Sequence, residues 1–144
     1  MRVGVGSDHA GFGQKQQLVA YLGACGHEVT DYGTDSDERC DYPDFAVKVA
    51  RAVAAGTEDF GVLVCGTGIG MAMAADKVPG VRAANVVTPQ FAELSREHND
   101  ANVVTLSGRF VDLDTNKRIC DVFLSTDFAG GRHEGRVDKI NALD

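Results

Sequence analysis

At 144 residues the chain has room for one domain around one hydrophobic core, expected to span residues 1–144. Its 44% hydrophobic and 24% charged residues exclude a disordered chain, and no run approaches the ~18 apolar residues of a membrane span. A formal net charge of −7 would repel a polyphosphate backbone, which excludes nucleic acid as a partner.

The opening MRVGVGSDHAGF passes into glycine and charge too early for a signal peptide, so a cytoplasmic location is expected. Cysteines at 25, 40, 65 and 120 contain no CxxC and no short Cys/His cluster. They fit reduced thiols rather than a disulfide framework or a zinc site, and no metal or other cofactor is expected.

In chain order, residues 2–6 read as a strand, followed by the loop Ser7-Asp8-His9. A helix comes next, with Phe12, Leu18, Val19 and Leu22 on one face, and then a strand over 28–32. The charged run 35–41 ends at Tyr42-Pro43, where proline in a first turn marks a helix whose apolar face carries Phe45, Val49 and Val53. Residues 59–65 form a third strand; its Val62-Leu63-Val64 is apolar without alternation, as in a strand covered on both faces.

Strands over 81–87 and 102–106 flank a helix over 88–97 with Phe91, Leu94 and His98 in one stripe. A helix from Asp112 carries Leu113, Cys120, Phe123 and Leu124, and a last one after Gly131 turns Val137 and Ile140 inward. Cys25 and Cys120 read as inert core cysteines. The β-α alternation implies a parallel sheet with helices on both faces. Ligands in such sheets bind beyond the carboxyl ends of the strands, near the point where strand order reverses. That rule points to Ser7–His9, Gly66–Gly70 and the segment around His98.

The strongest local signal is Cys65-Gly66-Thr67-Gly68-Ile69-Gly70, running from a strand into a helix. Glycines let backbone N–H groups approach a ligand, and such a nest suits a phosphate or an enolate oxygen. The loop lacks the GxGxxG spacing of dinucleotide sites and the GK[ST] of a P-loop, and tight strand-to-helix packing is the competing reading. Thiols before helix N-termini ionise more readily than a free thiol at about 8.5, so Cys65 is a candidate base or nucleophile; the competing reading is a buried core residue. Asp8 either brings an acid to the same edge or caps the following helix, with His9 beside it. His98 is a candidate acid or a helix-dipole partner. Arg132 and Arg136, an i, i+4 pair, match a phosphate if they do not simply line a solvated face, and Arg109 lies upstream. Tyr42 lines the pocket or covers the sheet.

GSDHAGF, DYPDFA at 41–46, CGTGIGMAMAADK at 65–77, REHNDANV at 96–103, SGR at 107–109 and GGRHEGRV at 130–137 together resemble the ribose-5-phosphate isomerase B family. The broader family includes the galactose- and allose-6-phosphate isomerases. The resemblance implies a Rossmann-like αβα fold with a five-stranded parallel sheet. It also implies a homodimer or dimer of dimers whose active site lies at the subunit boundary. The activity implied is interconversion of ribose 5-phosphate and ribulose 5-phosphate.

By the same resemblance Cys65 is the base that moves a proton between C1 and C2, and His98, helped by Asp8, opens the furanose ring. Gly66, Thr67, Gly68, Ile69 and Gly70 form the anion hole, with Thr67 counted among the catalytic residues. Asp8, His9 and Asn99 hold sugar hydroxyls, and Arg109, Arg132 and Arg136 fix the substrate, the last two at its phosphate. Some members carry a glutamate base directly after the glycine loop; Met71 stands there in this chain. A hexose-6-phosphate isomerase and a non-catalytic nucleotide-binding module are the alternative readings.

Overall fold

The computed structural model describes residues 1–144. Strand β1 (Arg2–Ser7) pairs in parallel with β2 (Glu28–Asp31) on one side and β3 (Phe60–Cys65) on the other. Beyond β3 lie β5 (Val103–Ser107) and then β4 (Ala83–Asn85), all parallel, giving the order β2-β1-β3-β5-β4. The order reverses between β1 and β3, so the loops leaving those two strands open side by side at the carboxyl edge.

The expected helices are present: α1 (Phe12–Ala24), α2 (Tyr42–Ala54), α3 (Ile69–Ala75), α4 (Pro89–Asn99), α5 (Leu113–Ser125) and α6 (Glu134–Asn141), the last preceded by a 3-10 turn over Gly131–His133. Alternation along the strands divides the core in two. Val3, Val5, Val62, Val64, Val104 and Leu106 pack with residues of α1, α4 and α5. Leu63, Cys65 and Val103 face α2 and α3. The architecture is therefore the expected three-layer αβα sandwich. None of its helices is long and apolar enough to cross a membrane.

Three side-chain expectations need correction. Cys25 follows the last residue of α1 and is exposed, so of the two cysteines expected to be inert core residues only Cys120 is one. In α4 the buried face is Ala92, Ser95 and Arg96, while Phe91 is 58% exposed. The short Ala92 and Ser95 allow close approach, and the Arg96 guanidinium sits over the rings of Phe60 and Phe123. In α6, Val137 is buried but Ile140 is exposed.

Lys15 is fully buried, and its ammonium donates to both carboxylate oxygens of Asp31 at 2.8 and 2.7 Å. Asp31 also accepts the N–H of Gly33, whose carbonyl receives the N–H of Ser7 at 2.7 Å. The pair thereby ties α1 to the backbone that leads into Asp8. Asp31→Ala leaves the ammonium buried without its partner. We expect a loss of about 3 kcal/mol in urea denaturation, the low end for a broken buried pair because Asp31 is partly reached by water. Lys15→Met in the same chain should return most of that loss.

Candidate active site

Two loops meet at the switch point. After β1 the chain turns through Asp8, which is 6% exposed and accepts the N–H of Gly11 at 3.0 Å. One carboxylate oxygen thus serves the turn ahead of α1, whose own N-cap, Gly11, has no side-chain cap, and the other accepts no hydrogen bond. His9 is half-buried, and its Nδ1 accepts the N–H of Cys40 at 3.3 Å. That bond fixes the tautomer with the proton on Nε2. Gly11 has no room for a side chain, because a Cβ there would collide with the Val64 carbonyl of β3. The two loops are in direct contact there.

After β3, Cys65 is 5% exposed, and its Sγ accepts the N–H of Gly68 at 3.1 Å. Gly68 has φ +83°, the left-handed region that glycine adopts without strain, and this turn folds the loop back over the sulfur. Thr67 Oγ1 accepts the N–H of Ile69 at 3.1 Å. The N–H groups of Gly66, Thr67, Gly70 and Met71 donate to no protein acceptor. Of the five residues named for an anion hole, Gly66, Thr67 and Gly70 thus keep open amides, while those of Gly68 and Ile69 are bonded within the loop. Met71 itself is buried.

Tyr42 covers this loop: a Cβ on Gly70 would stand 2.5 Å from its ring. The N–H groups of Gly108 and Arg109 donate to the carbonyls of Cys65 and Gly66, and the Arg109 guanidinium lies over Gly66. Gln14 and Asn116 hold the same turn through the carbonyls of Gly108, Val111 and Ser107.

The segment around His98 does not join this cluster. Helix α4 runs back against the strand direction, so His98 and Asn99 lie just ahead of β5, at the amino edge of the sheet. The expectation of three converging loops in one chain is therefore corrected to two. The error came from sequence proximity to β5 without regard for the direction of α4. The chain's tail sits at this second edge: the N–H of Ala129 donates to the Glu97 carbonyl, and the His133 ring stacks on His98 with centroids 4.3 Å apart. Arg132 flanks His133, and Arg136 follows in the first turns of α6.

In sequence His133 is a lone histidine between two arginines and carries no signal of its own; its stacking partner His98 is 35 residues away. Burial first, then His98, Arg132 and Arg136, hold its pKa below the ordinary histidine value, while Glu97 opposes them. A neutral His133 suits stacking on a second imidazole. A groove of about 630 Å³ near this edge is lined by Arg82, Asn99, Ile140 and Leu143 among others, and contains none of the residues around Cys65. No three His, Cys, Asp or Glu side chains stand close enough together to hold a metal ion.

A thiol, a carboxylate and an imidazole around open amides, at the switch point of a parallel sheet, define an αβα protein suited to chemistry on a small anionic molecule. The chain belongs to the ribose/galactose isomerase family, whose model matches residues 3–140. It is 47% identical to ribose-5-phosphate isomerase B of Escherichia coli over 99% of this chain and 96% of that one. Among solved structures, ribose-5-phosphate isomerase B of Clostridium thermocellum is similar with a TM-score of 0.98 and 48% identity, covering 99% of this chain and 97% of that one. The Mycoplasma genitalium ribose-5-phosphate isomerase B, solved with bound ribulose 5-phosphate, gives a TM-score of 0.94 at 45% identity over 98% and 94% of the two chains.

The four thiols differ enough in environment to be told apart. Cys25 is exposed, Cys40 intermediate, and Cys65 and Cys120 buried. Burial pushes the Cys120 thiol up to about 12. In native protein, mass spectrometry after iodoacetamide should find Cys25 modified and Cys120 unmodified, with Cys120 reacting only after urea unfolding.

Proposed function

We propose that this protein interconverts ribose 5-phosphate and ribulose 5-phosphate by proton transfer through a cis-enediolate. The observation that carries the reading is the thiol of Cys65 held beneath an open nest of amides at the switch point, in a chain of this family. In the aldose-to-ketose direction Cys65 takes the proton from C2 and returns it to C1, while the hydroxyl proton passes between the adjacent oxygens O2 and O1. The negative oxygen of the intermediate lies against the free N–H groups of Gly66, Thr67 and Gly70. One base serves both carbons, so no redox cofactor enters the scheme. Asp8 and His9 hold sugar hydroxyls, and His98 protonates the ring oxygen as the furanose opens. Arg132 and Arg136 bind the phosphate and supply binding energy remote from the reacting carbons, with Asn99 and Arg109 completing the pocket.

These residues lie at two edges of the sheet. Five residues of β5 separate them, roughly 15 Å of extended chain, further than a five-carbon sugar phosphate reaches. The reading therefore requires a second copy of the chain, its amino edge against the first one's carboxyl edge, in a two-fold homodimer with two composite sites. The exposed apolar side chains of Ile69, Met73, Val87 and Phe91, 48–66% exposed around the edge strand β4, support such a contact. Four free cysteines support a reducing, cytoplasmic location.

The first test is a coupled assay with ribose 5-phosphate beside allose and galactose 6-phosphates. We expect the pentose to have the highest kcat/KM, and a preference for either hexose would overturn the substrate assignment. Activity should persist after exhaustive EDTA treatment; a loss restored by added divalent metal would overturn the metal-free scheme.

Cys65→Ser should fold and lose ~10²–10⁴-fold in kcat. Mixing that variant with Arg132→Ala tests the composite site. Random reassortment of subunits should restore about a quarter of wild-type activity, because one site of each mixed dimer has both halves intact. No recovery from subunits shown to exchange would rule out sites shared between chains.

A further inference from the structure

Two hydroxyls beneath the glycine loop have no role in the scheme above. Thr105 and Ser107 are alternate residues of β5, so both project to the face that carries Cys65. They are 0% and 2% exposed in a strand otherwise made of Val103, Val104 and Leu106. Thr105 Oγ1 donates to the carbonyl of Gly68 at 2.8 Å, and Ser107 Oγ donates to the carbonyl of Gly66 at 2.7 Å. Those two carbonyls belong to the peptides on either side of one other, the Thr67–Gly68 peptide. It is the N–H of that middle peptide that reaches Cys65 Sγ.

The C=O and N–H of a trans peptide point in opposite directions. Holding the Gly66 carbonyl against β5 turns the Thr67 N–H outward, into the nest. Holding the Gly68 carbonyl sets the Gly68–Ile69 plane, and with both flanking planes fixed the Thr67–Gly68 peptide between them keeps its N–H directed at the sulfur. Glycine at 66 and 68 would otherwise let these peptides rotate. We infer that Thr105 and Ser107 are positioning residues for the isomerisation. They lock the Gly66–Gly68 backbone in the orientation that gives one amide to Cys65 and another to the developing oxyanion. The inference rests on the reading of Cys65 as the base.

Neither hydroxyl is needed to keep its carbonyl satisfied. The Gly68 carbonyl also accepts from Ala72 N–H and the Gly66 carbonyl from Arg109 N–H, so Thr105→Val should fold; Ser107→Ala also releases the Phe110 N–H, which Ser107 Oγ accepts at 3.0 Å, and its stability is measured alongside. Thr105→Val removes the hydroxyl and keeps the shape; Ser107→Ala removes the other. Each should lower kcat by about tenfold or more, since a misdirected oxyanion donor is lost to the transition state, with KM changed far less. A hydroxamate analogue of the enediolate carrying the same phosphate should bind more weakly in proportion to the loss in kcat/KM, and inorganic phosphate should bind as before. Thr105→Ser, which retains the hydroxyl, should recover most of kcat.

Alkylation supplies a readout that needs no substrate. In Thr105→Val, iodoacetamide should modify Cys65 at a changed rate relative to Cys25 in the same molecule, and Thr105→Ser should restore the wild-type ratio. A folded Thr105→Val with unchanged kcat and an unchanged alkylation ratio would overturn the inference, as would an equal defect in Thr105→Ser. If wild-type protein failed to turn over ribose 5-phosphate, the functional reading would fall. The alkylation ratio would still decide whether the hydroxyls orient the loop.

Discussion

The site depends on the register in which three parallel strands end together. Ser7 of β1 pairs with Val64 of β3, and Cys65 pairs with Ser107 of β5. Because these strands stop at the same level, the loops that follow are stacked side by side instead of staggered. The Asp8 N–H bonds the Val64 carbonyl, and the Gly108 N–H bonds the Cys65 carbonyl, extending the ladder by one bond on each side. A slip of β3 by one residue against both neighbours would turn Cys65 to the opposite face of the sheet, away from α3 and its loop.

Rigidity at that edge is built from below. The Lys15–Asp31 ion pair holds the segment that hydrogen-bonds Ser7, and Gln14 with Asn116 holds the turn carrying Arg109. Buried polar groups of this kind are costly unless each is partnered, and in return they define one geometry where an apolar core would tolerate several. The loop itself contributes backbone donors, which need no side-chain ordering when a ligand arrives.

Much of this was legible in the sequence. The unalternating Val62-Leu63-Val64, the glycine run after it and the Tyr42-Pro43 helix start carry strong local signals, and each falls where the periodicity placed it. The αβα layering followed from the alternation of those signals. What misled was anything set by direction or by tertiary packing. His98 adjoins β5 in sequence, yet the antiparallel course of α4 delivers it to the other edge. Phe91 looked inward by hydrophobicity, but the close packing of α4 selected Ala92 and Ser95 instead. Cys25, expected in the core, falls one residue beyond the end of α1 and is exposed. The polar residues Thr105 and Ser107 in a central apolar strand were a visible signal, but their carbonyl partners on a distant loop could only come from the folded chain.

In the proposed homodimer, the separation of Cys65 from the paired arginines gives each subunit two unlike ends, each completing the partner's other one. Unlike ends joined head to tail would propagate copy after copy, and such a chain of subunits has no natural stopping point. Reciprocal joining about a two-fold axis consumes both ends of both partners at once. In such a dimer, selection for a complete site would also select against polymerisation, because a subunit that completes its neighbour has nothing left to offer a third.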